Sequence, residues 1–532
     1  MGLSSADQSV SPPRVEIPRD YNAAEDLIER NLRAGRGGKA VYIDDAGQYT
    51  YADLAERVNR FGSGLKSLGL EMEQRVMIAM LDTIDWPTAF LGSIKAGIVP
   101  VAVNTLLTTK DYEFMLSDSR VRALIVSEAL LPGFAPLIAK LPFLKHVIVS
   151  GATTQASSTS EKGHIPFKDI LAGGSVQLAP APTMRDDACF WLYSSGSTGT
   201  PKGTVHVQST LVLTAELYAL PILGIRESDT VFSAAKLFFA YGLGNALSFP
   251  MSVGATTILM AERPTPAAVF KRLTEKKPTV FYGVPTLYAA LLASPEFPKN
   301  EQLALRICTS AGEALPENLG KRWKERTGVD ILDGIGSTEM GHIFLSNRPG
   351  DVRYGTTGKL VPGYRVKVLD EAGNPVKPGE VGDLYISGPT SAAYYWNQRE
   401  KTLDTFLGDW TRSGDKYAFD EAGYYTYAGR SDDMLKVSGI YVSPVEVEAA
   451  LISHEAVLEA AVVGHEDENK LVKPKAYVVL KPGKTGDDAL KAAMQQHVKD
   501  KLAPYKYPRW IEFIAELPKT ATGKIQRFKL RG

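Results

Sequence analysis

Short apolar runs alternate with helix-period segments through residues 21–340, and this alternation constrains the fold more than any other feature of the chain. RVMIAML (75–81) and IVPVAVN (98–104) are typical of short buried strands, and a helix-period segment begins at Asp53. Strands separated by helices predict largely parallel sheets covered by helices. Because hydrophobic cores stop growing beyond ~250–300 residues, a chain of 532 residues must form more than one core.

The pattern changes twice further along the chain. Residues 350–430 alternate with period two around Gly, Asn and Pro turns, which predicts antiparallel strands in a small β-barrel or sheet. We therefore predict an α/β protein whose large N-terminal domain, residues 21–431, contains two α/β layered subdomains and this barrel or sheet. A small mobile α+β domain, residues 432–532, follows it, and the Ser/Pro-rich residues 1–20 are predicted to be a disordered arm.

Composition excludes several classes of partner. The 60 Lys and Arg residues balance the 60 Asp and Glu residues, which disfavours a nucleic-acid footprint. The sequence contains no uninterrupted apolar run of the ~18 residues that a membrane span needs, and its start does not have the pattern of a signal peptide. We expect no membrane association and a cytoplasmic location. Cys189 and Cys308 lie in apolar runs and are predicted to be buried thiols.

The stretch YSSGSTGTPKGT (193–204) lies between an apolar run and an alternating one, which predicts a hairpin with a long tip. Its glycines permit positive φ, so successive N–H groups can form an anion-binding concavity. The alternative is a solvated loop, and this segment alone does not decide between the two. A P-loop NTPase is disfavoured, because Pro201 precedes Lys202 and a strand, not a helix, follows.

Five later segments accompany this loop in a fixed order. They are TSAGEALP (309–316), DGIGSTEMGHIF (333–344), WTRSGDKY (410–417), YAGRSDDMLKVSG (427–439) and LPKTATGKIQR (517–527). In this order the segments resemble the AMP-forming acyl-CoA synthetases, a family that also includes firefly luciferase and the adenylation domains of peptide synthetases. The resemblance covers nearly the whole chain.

The resemblance implies activation of a carboxylic acid by ATP and Mg²⁺, through an acyl-adenylate, followed by transfer of the acyl group to CoA. Thr338 would donate to the α-phosphate, Glu339 would hold Mg²⁺, and Lys524 would bridge the acid and the α-phosphate. The phosphate loop would be Ser194, Ser195, Gly196, Ser197, Thr198, Gly199 and Lys202. The adenosine would contact Gly312, Glu313, Ala314, Asp333, Gly334, Ile335 and Asp415, and Arg430 would reach the ribose or phosphate. Without the resemblance, the simplest interpretation of Lys524 is a solvated cation. Asp415 and Arg430 would each then belong to a surface ion pair.

The C-terminal motifs carry the second half-reaction by the same resemblance. Asp432 matches the hinge about which the small domain would rotate between the two steps, although a linker carboxylate is the simpler interpretation of the residue alone. The CoA arm would pass Lys436, Ser438, Gly439 and Tyr441.

The substrate acid is indicated by the segment LFFAYGLGN (237–245). Amino-acid-activating relatives carry an Asp in the equivalent segment, whereas this chain has Ala240 and Tyr241. The segment is similar to that of benzoate- and hydroxybenzoate-CoA ligases. It predicts a flat, mostly apolar pocket for a small aromatic monocarboxylic acid, lined by Ala240, Tyr241, Gly336, His342 and Ile343. His342 is either a ligand contact or a structural histidine.

Two other functions remain open. One is a stand-alone adenylating enzyme that loads an acyl-carrier protein. The other is a non-catalytic relative, which is disfavoured because Lys524, Glu339 and Asp415 are all present. We expect a monomer or homodimer.

Overall fold

The computed structural model describes residues 1–151, 163–194, 201–431, 433–437, 440–468, 471–519 and 525–531, without the side chains of 436, 440, 441 and 504; these are the described residues below. They form a large N-terminal α/β region and a smaller C-terminal α+β region, as the sequence predicts. None of the described helices is long and apolar enough to cross a membrane. Cys189 and Cys308 are buried free thiols, as predicted.

The first large sheet has eight strands, and its central strands run parallel. In spatial order the strands are Tyr394–Tyr395, Lys202–Val207, Ala188–Ser194, Val99–Ala102, Arg75–Ala79, Ala123–Ser127, His146–Ser150 and His164–Pro166. The second sheet has nine strands. Their spatial order is Lys359–Leu360, Ile343–Ser346, Ile331–Gly336, Ile307–Ser310, Val280–Gly283, Thr230–Ser233, Thr256–Ile258, Ala40–Ile43 and Gln48–Thr50.

Helices cover both sheets. They are Ala23–Arg33, Tyr51–Ser67, Asp85–Lys95, Thr109–Ser119, Leu131–Ile138, Phe167–Gly173, Thr210–Thr214 continued by Ala215–Ala219, Ala240–Leu243 continued to Val253, Pro266–Glu275, Pro285–Ala293, Glu317–Thr327 and Arg399–Thr405. Local sequence explains where such helices begin. Thr50 and Asp53 form a capping box at the start of Tyr51–Ser67, so that each side chain satisfies a backbone N–H of the first turn.

The two α/β blocks interleave, which the linear pattern did not predict. The strand Ala188–Ser194 lies far along the chain from the early strands, yet it belongs to the first sheet, where Trp191 pairs with Val101. The early strand Ala40–Ile43 belongs to the second sheet, where Tyr42 pairs with Thr257. Long-range packing determines which strands pair, and the hydrophobic periodicity of a segment does not reveal its partner strand.

The prediction that residues 1–20 are disordered is wrong. Ser5–Asp7 and Arg14–Glu16 form an antiparallel pair. Ser4 Oγ donates to Asp26 Oδ2 at 2.5 Å, and Gln8 Nε2 donates to Glu216 Oε2 at 2.8 Å. Asp26 and Glu216 are both buried, and a buried carboxylate requires hydrogen-bond donors. The polar composition that suggested disorder therefore supplies donors to two carboxylates of the N-terminal region.

The expected antiparallel structure is present between Arg365 and Arg430. The strands Arg365–Leu369, Gly382–Ser387, Trp410–Phe419, Phe406–Leu407 and Tyr425–Arg430 make one five-stranded sheet. Among the described residues its outer strands do not pair with one another, so that of the two expected forms it is the open sheet. The C-terminal region contains the pair Leu435–Val437 and Ile440–Val442, the sheet Val457–Glu466, Val472–Leu480 and Trp510–Phe513, and the helices Pro444–Ile452 and Asp488–Lys501.

Candidate active site

The predicted hairpin is present. Strand Ala188–Ser194 pairs antiparallel with Lys202–Val207, and Ser194 lies opposite Lys202. The tip, residues 195–200, lies outside the described residues, and with it the predicted phosphate-binding residues Ser195, Gly196, Ser197, Thr198 and Gly199. The hairpin is thus confirmed, while the phosphate-binding role of its tip stays a prediction.

Lys202 and Glu339 meet between the two sheets. Glu339 follows the strand Ile331–Gly336, and the Nζ atom of Lys202 lies 3.6 Å from its Oε1 atom. Burial acts to raise the pKa of Glu339, but Lys202 and the Tyr395 hydroxyl outweigh it and lower that pKa below its ordinary value. Glu339 is therefore an anion at neutral pH, with a cation beside it.

Tyr395 completes this arrangement, although no motif of the sequence points to it. Its hydroxyl donates to Glu339 Oε1 at 2.7 Å and accepts from Lys202 Nζ at 3.2 Å. In the sequence Tyr395 belongs to the aromatic run YYW, which indicates only a packed strand. An aromatic residue in such a run gives no indication that its hydroxyl will meet a carboxylate distant in the sequence.

A second residue that the sequence reasoning missed is His206. Its Nε2 atom donates to the carbonyl of Thr338 at 2.7 Å, and its ring stacks on Phe190 with centroids 5.0 Å apart. Burial lowers the pKa of His206 to about 4, so the imidazole is neutral and its Nε2 proton is committed to this bond. His206 thereby fixes the backbone that carries Thr338 and Glu339.

The predicted adenine residues lie at neighbouring strand ends of the second sheet. Gly312, Glu313 and Ala314 follow the strand Ile307–Ser310, and Ser310 pairs with Asp333 on the next strand. Gly334 and Ile335 continue that strand and pair with Ser346 and Leu345.

Asp333 has the character expected of a ligand-binding carboxyl. It is buried, and burial raises its pKa well above the usual value. Its Oδ1 atom has no hydrogen-bond partner among the described residues. A buried polar atom without a partner is costly, so a ligand that satisfies this atom would gain from doing so.

Asp415 and Arg430, predicted to contact the nucleotide, face each other on antiparallel strands. Arg430 Nη1 donates to Asp415 Oδ1 at 3.0 Å, and Asp415 is 8% exposed. The pair is therefore largely withdrawn from solvent at its acidic end, unlike the surface ion pair that the two residues would form by the simpler interpretation.

The residues predicted to line the acid pocket lie around Tyr241. Its ring lies 5.6 Å from the ring of His342 and 6.3 Å, edge-on, from that of Tyr282. Ala240 and Tyr241 are partly buried, whereas His342 and Ile343 are 2% exposed, and Gly336 pairs with Ile343.

His342 supports this wall from inside the protein. Its Nε2 atom lies 3.2 Å from the carbonyl of Tyr241 and 3.2 Å from Asn245 Oδ1. Burial lowers its pKa to about 3, so it is neutral. Gly244 makes room for it, since a Cβ there would lie 2.4 Å from His342 Cδ2. These contacts favour the structural interpretation, and a direct contact with substrate stays a prediction.

Several predicted residues of the C-terminal region lie outside the described residues. They are the proposed catalytic Lys524, the hinge Asp432, and Ser438 and Gly439 of the proposed CoA passage; the side chains of Lys436 and Tyr441 belong with them.

The fold and these motifs define the class of the protein. The sequence model of the AMP-binding enzyme family matches residues 28–396, and that of the AMP-binding enzyme C-terminal domain matches residues 446–524. The chain belongs to the AMP-binding enzyme family, which confirms the resemblance drawn from its motifs.

Particular relatives are similar along nearly the whole chain. A benzoate–CoA ligase of Thauera aromatica is 66% identical over 531 residues, covering 99% of each chain. A 4-hydroxybenzoate–CoA/benzoate–CoA ligase of Rhodopseudomonas palustris is 49% identical, over 96% of this chain and 94% of the relative. The solved structure of a benzoate CoA ligase from Burkholderia xenovorans LB400 is 55% identical, with a TM-score of 0.89 over 96% of this chain and 100% of that one.

Proposed function

We propose that this protein is an ATP-dependent, AMP-forming ligase that converts benzoate or a close aromatic monocarboxylic acid to its acyl-adenylate and then to its CoA thioester. The observation that carries the proposal is the 66% identity to a benzoate–CoA ligase over 99% of both chains. The geometry around Tyr241, Glu339 and Asp333 supports it.

The acid pocket suits an uncharged ring. Tyr241 presents an aromatic wall, and the groups behind it, neutral His342 and Tyr282, carry no charge to attract a second carboxylate or an ammonium group. An aryl ring packs offset or edge-on against such a wall. Amino acids are disfavoured because neither Ala240 nor Tyr241 offers a carboxylate.

The first half-reaction brings a carboxylate up to an anionic triphosphate. The protein must neutralise that repulsion and hold the reacting groups in line. Lys202 and Arg430 supply cations, Thr338 supplies a donor to the α-phosphate, and Lys524 bridges the acid and the α-phosphate. Asp415 accepts hydrogen bonds from the ribose, and Asp333 receives the exocyclic amine of adenine.

The residues present fit Mg²⁺. Glu339 is ionised, because Lys202 and Tyr395 lower its pKa against the effect of burial. The described residues contain no cluster of three or more metal-ligating side chains. A single carboxylate fits this ion, since Mg²⁺ is commonly held by one or two carboxylates together with substrate phosphates and water. When bound, the ion would neutralise phosphate charge, and Glu339 would be its protein ligand.

The second half-reaction uses the C-terminal region. A domain of residues 432–532 would turn about Asp432, withdraw Lys524, and present Lys436, Ser438, Gly439 and Tyr441 to the CoA arm. Such hinges concentrate large changes in φ and ψ at a few residues. The same proposal includes a domain division at 431/432, a cytoplasmic location, and a monomeric or homodimeric state. Cell fractionation tests the location, and light scattering tests the oligomeric state.

The test is a panel of carboxylic acids incubated with ATP and either CoA or a phosphopantetheinylated carrier protein, with AMP and thioester measured together. We expect benzoate and small substituted benzoates to give equal amounts of AMP and CoA thioester, and amino acids to give neither. Thioester formed only on the carrier protein would assign the alternative function. Absence of AMP with every aromatic acid would contradict the proposal.

A further inference from the structure

The hydroxyl of Tyr395 joins two charged groups of the candidate site. It lies 2.7 Å from Glu339 Oε1 and 3.2 Å from Lys202 Nζ, and these two charged atoms are 3.6 Å apart. A carboxylate can only accept and an ammonium can only donate. The single phenolic proton must therefore point to Glu339, while the phenolic oxygen accepts from Lys202.

The backbone holds this hydroxyl in place. Ala392 N donates to the carbonyl of Glu339 at 2.7 Å, and Trp396 N donates to the carbonyl of Gly203, next to Lys202, at 2.8 Å. The segment from Ala392 to Trp396 thus spans the two elements that carry the charged groups. Tyr395 lies within this segment and is 3% exposed, so its ring has little freedom to turn away.

The electrostatics agree with this geometry. Burial acts to raise the pKa of Glu339, and Lys202 and the Tyr395 hydroxyl together lower it. Burial, and next the negative charge of Glu339, raise the pKa of Tyr395 far above its ordinary value. The phenol therefore remains a proton donor throughout the physiological range.

We propose that Tyr395 is a positioning residue of the nucleotide step: its hydroxyl holds the Glu339 carboxylate ready for the metal–nucleotide complex and keeps Lys202 beside it until phosphate arrives. This inference rests on the proposed function. When the phosphates enter, Lys202 exchanges its carboxylate partner for phosphate oxygens. The hydrogen bond from Tyr395 then keeps Glu339 in its orientation after its cation has left.

The test compares Tyr395→Phe with Tyr394→Phe in the full-length protein. Tyr394 lies on the same strand, pairs with Val205 and is 39% exposed, so its variant is a matched control. Dissociation constants for ATP in the presence of Mg²⁺ are measured by calorimetry without any acid. We expect about a tenfold weaker binding for Tyr395→Phe, as for loss of one hydrogen bond to a charged group, and no change for Tyr394→Phe.

Binding with and without Mg²⁺ separates positioning from a merely structural effect. If the hydroxyl orients Glu339 for the metal–nucleotide complex, Tyr395→Phe should weaken binding of ATP in the presence of Mg²⁺ and leave binding of ATP without Mg²⁺ nearly unchanged. A general disturbance of the site would weaken both. Melting curves check the fold, which the retained ring contact with Phe406 (centroids 5.2 Å apart) should preserve.

Three results would overturn the inference: unchanged affinity in Tyr395→Phe, an equal loss in Tyr394→Phe, or an equal loss in Tyr395→Phe with and without Mg²⁺. Failure of the proposed function is distinguishable from these. A wild-type protein that binds ATP with Mg²⁺, yet forms no AMP from any aromatic acid, would remove the proposed function and leave the binding comparison intact.

Discussion

The hydroxyl groups of Tyr241 and Thr309 are hydrogen-bonded to each other. Thr309 belongs to the strand Ile307–Ser310, and Tyr241 to the helix Ala240–Leu243. The carbonyl of Tyr241 is contacted by His342, so the residue is held at both ends. Its hydroxyl is engaged within the protein, so the proposed contact with the substrate falls to the aromatic ring.

We expect Thr309→Val to raise the KM for benzoate about fivefold, because one hydrogen bond that orients Tyr241 is lost, worth ~1 kcal/mol. The KM for ATP should not change.

Tyr241→Ala, which removes the aromatic wall, should weaken the preference for aromatic acids. Thr327→Val is the control, since Thr327 is also buried and bonds the carbonyl of Trp323 away from the pocket. An unchanged acid profile in both pocket variants would contradict the pocket assignment.

Asp415→Asn should raise the KM for ATP roughly ten- to a hundredfold, because the buried carboxylate would lose charge-assisted hydrogen bonds to the ribose. The measurement is pyrophosphate exchange as a function of ATP concentration. Asp420→Asn serves as the comparison, since Asp420 pairs with Arg353 at the exposed surface and such pairs contribute little. If Asp415→Asn lowers the melting temperature but leaves the KM for ATP unchanged, Asp415 is only the structural partner of Arg430.

Lys524→Ala should abolish formation of the acyl-adenylate and largely spare thioester formation from supplied benzoyl-AMP, because in the proposed mechanism Lys524 counters charge only in the first transition state. Each half-reaction is assayed separately. Lys519→Ala is the control, because Lys519 belongs to the same segment as Lys524 and its Nζ atom lies 2.5 Å from Glu459 Oε1. This variant should affect neither half-reaction. Equal loss of both half-reactions in Lys524→Ala would refute the assigned role.

Stability should fall in mild acid because two histidines are buried in the neutral form. Burial lowers the pKa of His206 to about 4 and that of His342 to about 3, from an ordinary 6.5. The unfolded chain binds these protons first, so the stabilisation is complete above about pH 6.5 and is lost as the pH falls toward those values. At about pH 5 each histidine should lower the free energy of unfolding by about 2 kcal/mol relative to neutral pH.

Urea denaturation of wild type and His342→Phe at about pH 7 and about pH 5 measures this effect. The difference between the two pH values should shrink by about 2 kcal/mol in the variant. His465→Gln, at an exposed histidine, should behave like wild type. An unchanged pH difference in His342→Phe would show that His342 does not contribute to the acid sensitivity.

Much of the fold and the outline of the site could be predicted locally. The predicted strands RVMIAML and IVPVAVN are present as Arg75–Ala79 and Val99–Ala102, because hydrophobic periodicity and β-branched content are properties of a few neighbouring residues. The hairpin at Lys202 followed from an apolar run and an alternating run on either side of a glycine-rich tip. The arm at residues 1–20 was mispredicted, since its order depends on Asp26 and Glu216, which lie elsewhere in the chain.

The sequence by itself determined the type of most elements, the order of the motifs and the family to which the chain belongs, because each depends on neighbouring residues. Only the tertiary structure decided which strands share a sheet, that His342 stands behind Tyr241, and that Tyr395 touches both Lys202 and Glu339. Lys202 and Tyr395 are 193 residues apart in the chain. Contacts of that kind arise from packing of sheets and from the need of buried charges for partners, which no local pattern records.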